Sequence, residues 1–217
     1  MGDTDIEKLL KDYLRCKDKR YFVDDVKNVL DEKDVEWLFI LESPHKDEFI
    51  KKIPLQGLSG ISVSKFFGFE EKPFGELINT DEIKNKANVA ILNVSQVPLQ
   101  RVDKTMDNEY CKIYDELDKI RDCGIDEELK KSFNKRLKKY EKNDILTIVV
   151  CGLFAKRYFD AYINGRKGIN LLRRQYNDEI RILFVPHPSR HQWSFIEKHK
   201  ENLATLKELF NQSIEEK

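Results

Sequence analysis

At 217 residues the chain has the length of one ordinary domain, enough to bury a sizeable core. Charged residues make up 36% and the hydrophobic set 40%, so a globular protein with a heavily charged surface is expected. Its 39 basic residues balance 39 acidic ones, which counts against tight nonspecific binding to DNA and leaves local patches open.

The opening MGDTDIEKLLKDYL lacks the apolar core of a signal peptide. No stretch reaches the ~20 apolar residues that span a bilayer, so a cytoplasmic protein with no membrane partner is expected. Residues 5–16 and 22–31 have helical spacing, which predicts N-terminal helices within 5–31: Ile6, Leu9, Leu10, Tyr13 and Leu14, then Phe22, Val23, Val26 and Leu30. The first continuous apolar run is Trp37 to Leu41, followed by ESPHKDEF. The second, Val89 to Leu92, is followed by NVSQVPLQ. Residues 107–142 predict two charged helices, whose basic stretch KKSFNKRLKKYEK reads as a solvated face ahead of a phosphate-contacting patch. The third run, Ile145 to Val150, leads through Cys151 and Gly152 into a helix from about Leu153 to Ile163. The fourth, Ile180 to Val185, stops at Pro186-His187-Pro188, where the prolines fix the backbone around the histidine. Residues 195–213, with Phe195, Ile196, Leu203, Leu206, Leu209 and Phe210, predict a closing helix. The cysteines Cys16, Cys111, Cys123 and Cys151 lack C-x2-C spacing and read as isolated thiols; no metal site is expected from them.

Short apolar runs separated by helical segments predict an α/β fold. The expected architecture is three-layer α/β/α with a central four-stranded, mainly parallel sheet, in a single domain over 1–217. Ligands of such sheets bind beyond the carboxyl ends of the strands. All four runs carry polar residues or glycine there: Glu42, Ser43 and His45; Asn93; Gly152; His187 and Ser189.

In this order the strand ends resemble the motifs of the uracil-DNA glycosylase superfamily, over residues 35–192. LESPH, residues 41–45, stands where the family has GQDPYH, GMNPG or GEAPG. ILN, ending at Asn93, stands for LLN or TN. VVCGLFA, residues 149–155, stands for LWG and the following helix start, and His187-Pro188-Ser189 for HPSPLS or HPA.

The resemblance implies a monofunctional DNA glycosylase, monomeric and without cofactor. Its partner would be DNA containing uracil or another altered base, which is flipped out for hydrolysis of its N-glycosidic bond. His187 would donate a hydrogen bond to the departing base. Glu42, matching the glutamate of GEAPG, would favour the cationic sugar and orient water, with Asp47 and Glu48 as alternatives on the same loop. Asn93 would read the base edge. Ser189 would hold a backbone phosphate, and Phe66 or Phe67 would stack beneath the base.

The chain also departs from the family. The catalytic aspartate of GQDPYH falls on Ser43, so the mechanism of the most active branch is not expected to carry over; the thymine-excluding tyrosine falls on His45, so base selection is expected to differ. Arg190 and His191 replace the proline and intercalating leucine of HPSPLS, so a wedge into DNA is expected to be polar or to be Trp193. The glutamate-bearing branch often carries an iron–sulfur cluster, whose cysteine spacing is absent here. Two other readings stay open. Ser43 motivates a glycosylase-like module that binds nucleic acid or a nucleotide with catalysis lost or altered. A metal-dependent hydrolase would use Glu42, His45, His187 and His191, but Pro188 breaks the helix that the His187/His191 spacing would need.

Overall fold

The structure is a computed structural model and describes residues 22–69, 72–99, 125–143, 146–165, 180–188, 193 and 200–215. Five strands form one sheet: β1 (Val26–Lys27), β2 (Trp37–Leu41), β3 (Val89–Asn93), β4 (Leu146–Cys151) and β5 (Ile180–Val185). Their order across the sheet is β1-β3-β2-β4-β5, and every pairing is parallel except that of β1 with β3. Every residue of β2, β3 and β4 is buried. Strands covered on both faces need apolar side chains at successive positions, which is why these runs do not alternate. The edge strand β5 does alternate in part, with Arg181 exposed.

Helices pack on both faces. Between β2 and β3 lie α1 (Lys46–Lys51), α2 (Leu58–Phe67), α3 (Phe74–Leu77) and α4 (Asp81–Lys84). Next come α5 (Glu127–Leu137) before β4, α6 (Gly152–Ile163) between β4 and β5, and α7 (Lys200–Glu215) after β5. Strand parity divides the core. Leu38, Ile40, Leu92, Ile148 and Val150 pack with Phe133 of α5 and Tyr158 of α6. Trp37, Phe39, Leu41, Ile91 and Val149 face the other way, onto Phe67 of α2, Phe74 of α3 and Phe210 of α7. The Phe67 and Phe210 rings are 4.2 Å apart at the centre of that second layer.

The predicted helix at 22–31 is replaced by an extended segment, which adds an antiparallel fifth strand to the four expected. Val26 pairs with Ile91 and Lys27 with Ala90. The Asn28 side chain then donates to the Ala87 carbonyl and accepts from Val89 N–H, both at 2.8 Å. Val23 and Val26 suit a sheet edge as well as a helix face, and Leu30, counted on the helical face, is 100% exposed. The predicted helix at 5–16, and Phe195 and Ile196 of the closing helix, lie outside the described residues. Within the basic stretch, Lys131, Lys135, Lys138 and Lys139 are exposed as expected, whereas Arg136 turns inward. No described helix is long and apolar enough to cross a membrane.

This strand order positions a site. From β2 the chain moves to β3 on one side, and from β4 to β5 on the other. The loops leaving β2 and β4 therefore diverge at the carboxyl ends of these strands, where ligands of such sheets bind.

Candidate functional site

All four predicted strand ends are joined by direct observations. Leu41 and Asn93 are paired in register, and the loops continue together: Val94 N–H donates to the Leu41 carbonyl at 2.8 Å and Ser95 N–H to that of Glu42 at 3.0 Å. On the other side of β2, β4 ends at Cys151, level with Val185 of β5. Gly152 follows with φ +88°, and a Cβ there would come within 3.0 Å of the His187 Cβ. Glycine is needed at this position both for its left-handed backbone and for the space that His187 occupies. The His187 ring in turn lies 6.0 Å from that of His45 on the loop after β2. The His45 and His187 rings thus meet at the carboxyl edge of the sheet, with Glu42, Ser43 and Asn93 at the adjacent strand ends.

Two of these residues carry unsatisfied polar atoms. Asn93 is 2% exposed and Ser43 3% exposed, yet Asn93 Oδ1 and Ser43 Oγ have no hydrogen-bond partner. A buried polar atom without a partner costs on the order of 1–3 kcal/mol. Both atoms stand at the carboxyl edge of the parallel sheet, the edge at which such sheets bind their ligands. The helix that starts at Gly152 adds to this: no side chain caps it at Cys151, so its first amides keep their partial positive charge next to His187. Cys151 itself is a buried core thiol, and burial pushes its pKa up, disfavouring the thiolate.

The three carboxylates after β2 are distinguished by their surroundings. Glu48 is 4% exposed. Its carboxylate accepts from His45 N–H at 2.6 Å and also from Leu55 N–H. It ties the start of α1 to the loop before α2, and burial raises its pKa to about 7 against the pull of those two amides. Glu48 therefore has a structural task. Asp47 is exposed on the same turn, and Glu42 is half-buried at the strand end, anchored by its main chain to Ser95. Leu55, held by Glu48, adopts φ 54°. Its carbonyl lies so close to α2 that a Cβ on Gly60 would fall 1.7 Å from the oxygen.

Phe66 and Phe67 pack with Trp193 beneath the loop that carries His187. Phe67 is 4% exposed within the second core layer. Phe66 packs edge-on to Trp193 at 4.9 Å and to Phe67 at 5.1 Å, with Lys207 Nζ 5.6 Å from its ring. Trp193, one of the expected wedges, is only 3% exposed, and its indole N–H donates to the Pro186 carbonyl at 2.8 Å. It anchors the loop that carries His187 from within the core. The feature that sequence reasoning missed is Leu153, 83% exposed at the start of α6 beside Gly152. The signal was a leucine directly after the strand-ending glycine, at a position read only as helix.

Ser189, Arg190 and His191 lie outside the described residues. Among the described residues no group of three or more His, Cys, Asp or Glu side chains is arranged to hold a metal ion. No family model matches the chain, and no curated protein sequence matches it.

Proposed function

We propose that the chain is a DNA glycosylase of the uracil-DNA glycosylase kind, with a three-layer α/β/α fold, which hydrolyses the N-glycosidic bond of uracil or another altered base. The observation that carries this reading is the pair of buried, unpartnered atoms, Asn93 Oδ1 and Ser43 Oγ, at the carboxyl edge of the sheet, the same edge at which the His45 and His187 rings meet. A flipped base has polar edges that would satisfy both atoms.

In the reaction the N-glycosidic bond breaks with its electron pair moving onto the base, and water forms the new bond to the sugar carbon. His187 donates a hydrogen bond to the base as negative charge develops, supported by the positive end of α6. Glu42 faces the developing sugar cation and takes the proton of the attacking water, with Asp47 as the alternative carboxylate. Ser189 holds a backbone phosphate. Leu153, exposed at the start of α6 where Trp193 is buried, is the apolar side chain we assign to the gap left by the base.

Ser43 in place of an aspartate favours a second reading, a module that binds a modified base without cleaving it. Oligonucleotides carrying uracil, hypoxanthine, xanthine or 5-modified pyrimidines, incubated with metal-free protein, separate the two. Abasic sites support the glycosylase. Affinity for modified DNA, with turnover unchanged by Glu42→Gln and His187→Ala, supports the binding module.

A further inference from the structure

Arg136 lies in the most basic part of the chain, yet its side chain is only 11% exposed. Its guanidinium spans three acceptors. Nη1 donates to Asp25 Oδ1 and to the Asn93 carbonyl, and Nη2 to the Val94 carbonyl, each at 2.7 Å. The two carbonyls belong to the last residue of β3 and the one after it. The paired residues of β1 reach Ile91 and no further along β3, so the outer edge of the chain at Asn93 is held by Arg136 instead of a strand. The inner edge is held by the bonds of Val94 and Ser95 to the β2 loop. Asn93 thus sits on a peptide segment clamped from both sides, while its own Oδ1 is unpartnered.

The clamp is an expensive way to gain stability. Taking an arginine and a carboxylate out of water costs several kcal/mol per ion, and well-packed apolar residues often serve stability as well or better. Burial raises the Asp25 pKa even against the neighbouring guanidinium. What a planar, multidentate guanidinium supplies is fixed geometry, which a lysine ammonium cannot reproduce.

We propose that Arg136, supported by Asp25, is a positioning residue that fixes the Asn93 amide at the carboxyl end of β3 and thereby sets which base edge is accepted. The role in base selection rests on the glycosylase reading; the role in holding Asn93 does not. The test uses Arg136→Lys and the milder Asp25→Asn in the full chain, checked for folding by circular dichroism. The Asn93 side-chain amide resonances are identified by their loss in Asn93→Ala. In folded Arg136→Lys these resonances are expected to shift. Turnover of the preferred base is expected to fall by about 10- to 100-fold, with poorly accepted bases affected less, so that the discrimination ratio narrows. Asp25→Asn is expected to change both readouts in the same direction and by less. Unshifted Asn93 resonances in either folded variant, or an unchanged discrimination ratio, would overturn the proposal. If the wild-type protein releases no base, the glycosylase reading fails, and the resonances alone decide whether Arg136 holds Asn93.

Discussion

Gly152 offers a sharp test because a second glycine isolates its two contributions. Gly152 and Gly68 both have φ +88°, but a Cβ on Gly68 would meet nothing within 4 Å, whereas one on Gly152 would lie 3.0 Å from the His187 Cβ. Alanine at either position forces an L-residue into left-handed backbone, at a cost of about 1–2 kcal/mol. At Gly152 the contact must also be relieved by moving the His187 loop, which adds about 1–3 kcal/mol. The loop has little room to yield, since Trp193 holds the Pro186 carbonyl from below. For a chain of this size each kcal/mol lowers Tm by about 2–4 °C. Gly68→Ala is therefore expected to lower Tm by about 2–8 °C and Gly152→Ala by about 4–20 °C. Calorimetry of both variants measures the difference. On the glycosylase reading, Gly152→Ala also reduces turnover by about tenfold, since displacing His187 spoils its alignment with the leaving base; Gly68→Ala leaves turnover unchanged. Equal Tm losses in the two variants would refute the packing of His187 against Gly152.

Ser43→Ala removes a buried hydroxyl that has no partner, so it is expected to leave stability unchanged or raise it by up to about 1 kcal/mol. Asn93→Ala is expected to lower kcat/KM by about 100-fold with a small change in Tm; a large loss of stability without loss of activity would assign Asn93 to the fold. Glu48, with an ordinary pKa of 4.5 raised to about 7 by burial, binds more protons in the folded than in the unfolded chain between those values. Its contribution is fully present below pH 4.5 and is lost as pH rises through about 7. Denaturant titrations from pH 5 to 8 are thus expected to show a falling stability whose slope is reduced in Glu48→Gln. An identical slope in that variant would count against the raised pKa. Leu153→Ala is expected to slow release of a base from double-stranded DNA by about tenfold and to leave single-stranded substrate within about twofold. Equal effects on the two substrates would remove Leu153 from the wedge role.

The strands were legible because burial on both faces leaves an unmistakable mark. WLFIL, VAILN and LTIVVC are all buried, and their polar followers fall at the carboxyl edge, as the runs implied. What the sequence left hidden depended on contacts between distant segments. The apolar spacing of Phe22, Val23 and Val26 fits a helix, and only Asn28 reaching across to Ala87 and Val89 makes the segment extended. Arg136 sits among lysines that do face solvent, and only the free edge of β3 draws it inward. Glu48 and Glu42 look equivalent on one loop until the amides of His45 and Leu55 claim the former. Trp193 looked available for DNA because its partners, Phe66 and the Pro186 carbonyl, are set by the packing of the loop on α2.

The central claim is that His187 stabilises a base leaving DNA. It is tested most directly by single-turnover release of the base from uracil-bearing oligonucleotides, comparing wild-type protein with folded His187→Ala in metal-chelating buffer. The expected result is abasic product with the wild type and a rate lower by about 100-fold or more with His187→Ala. Equal rates in the two proteins would contradict the role of His187, and no product from wild-type protein on uracil, hypoxanthine, xanthine or 5-modified pyrimidines would contradict the reaction itself.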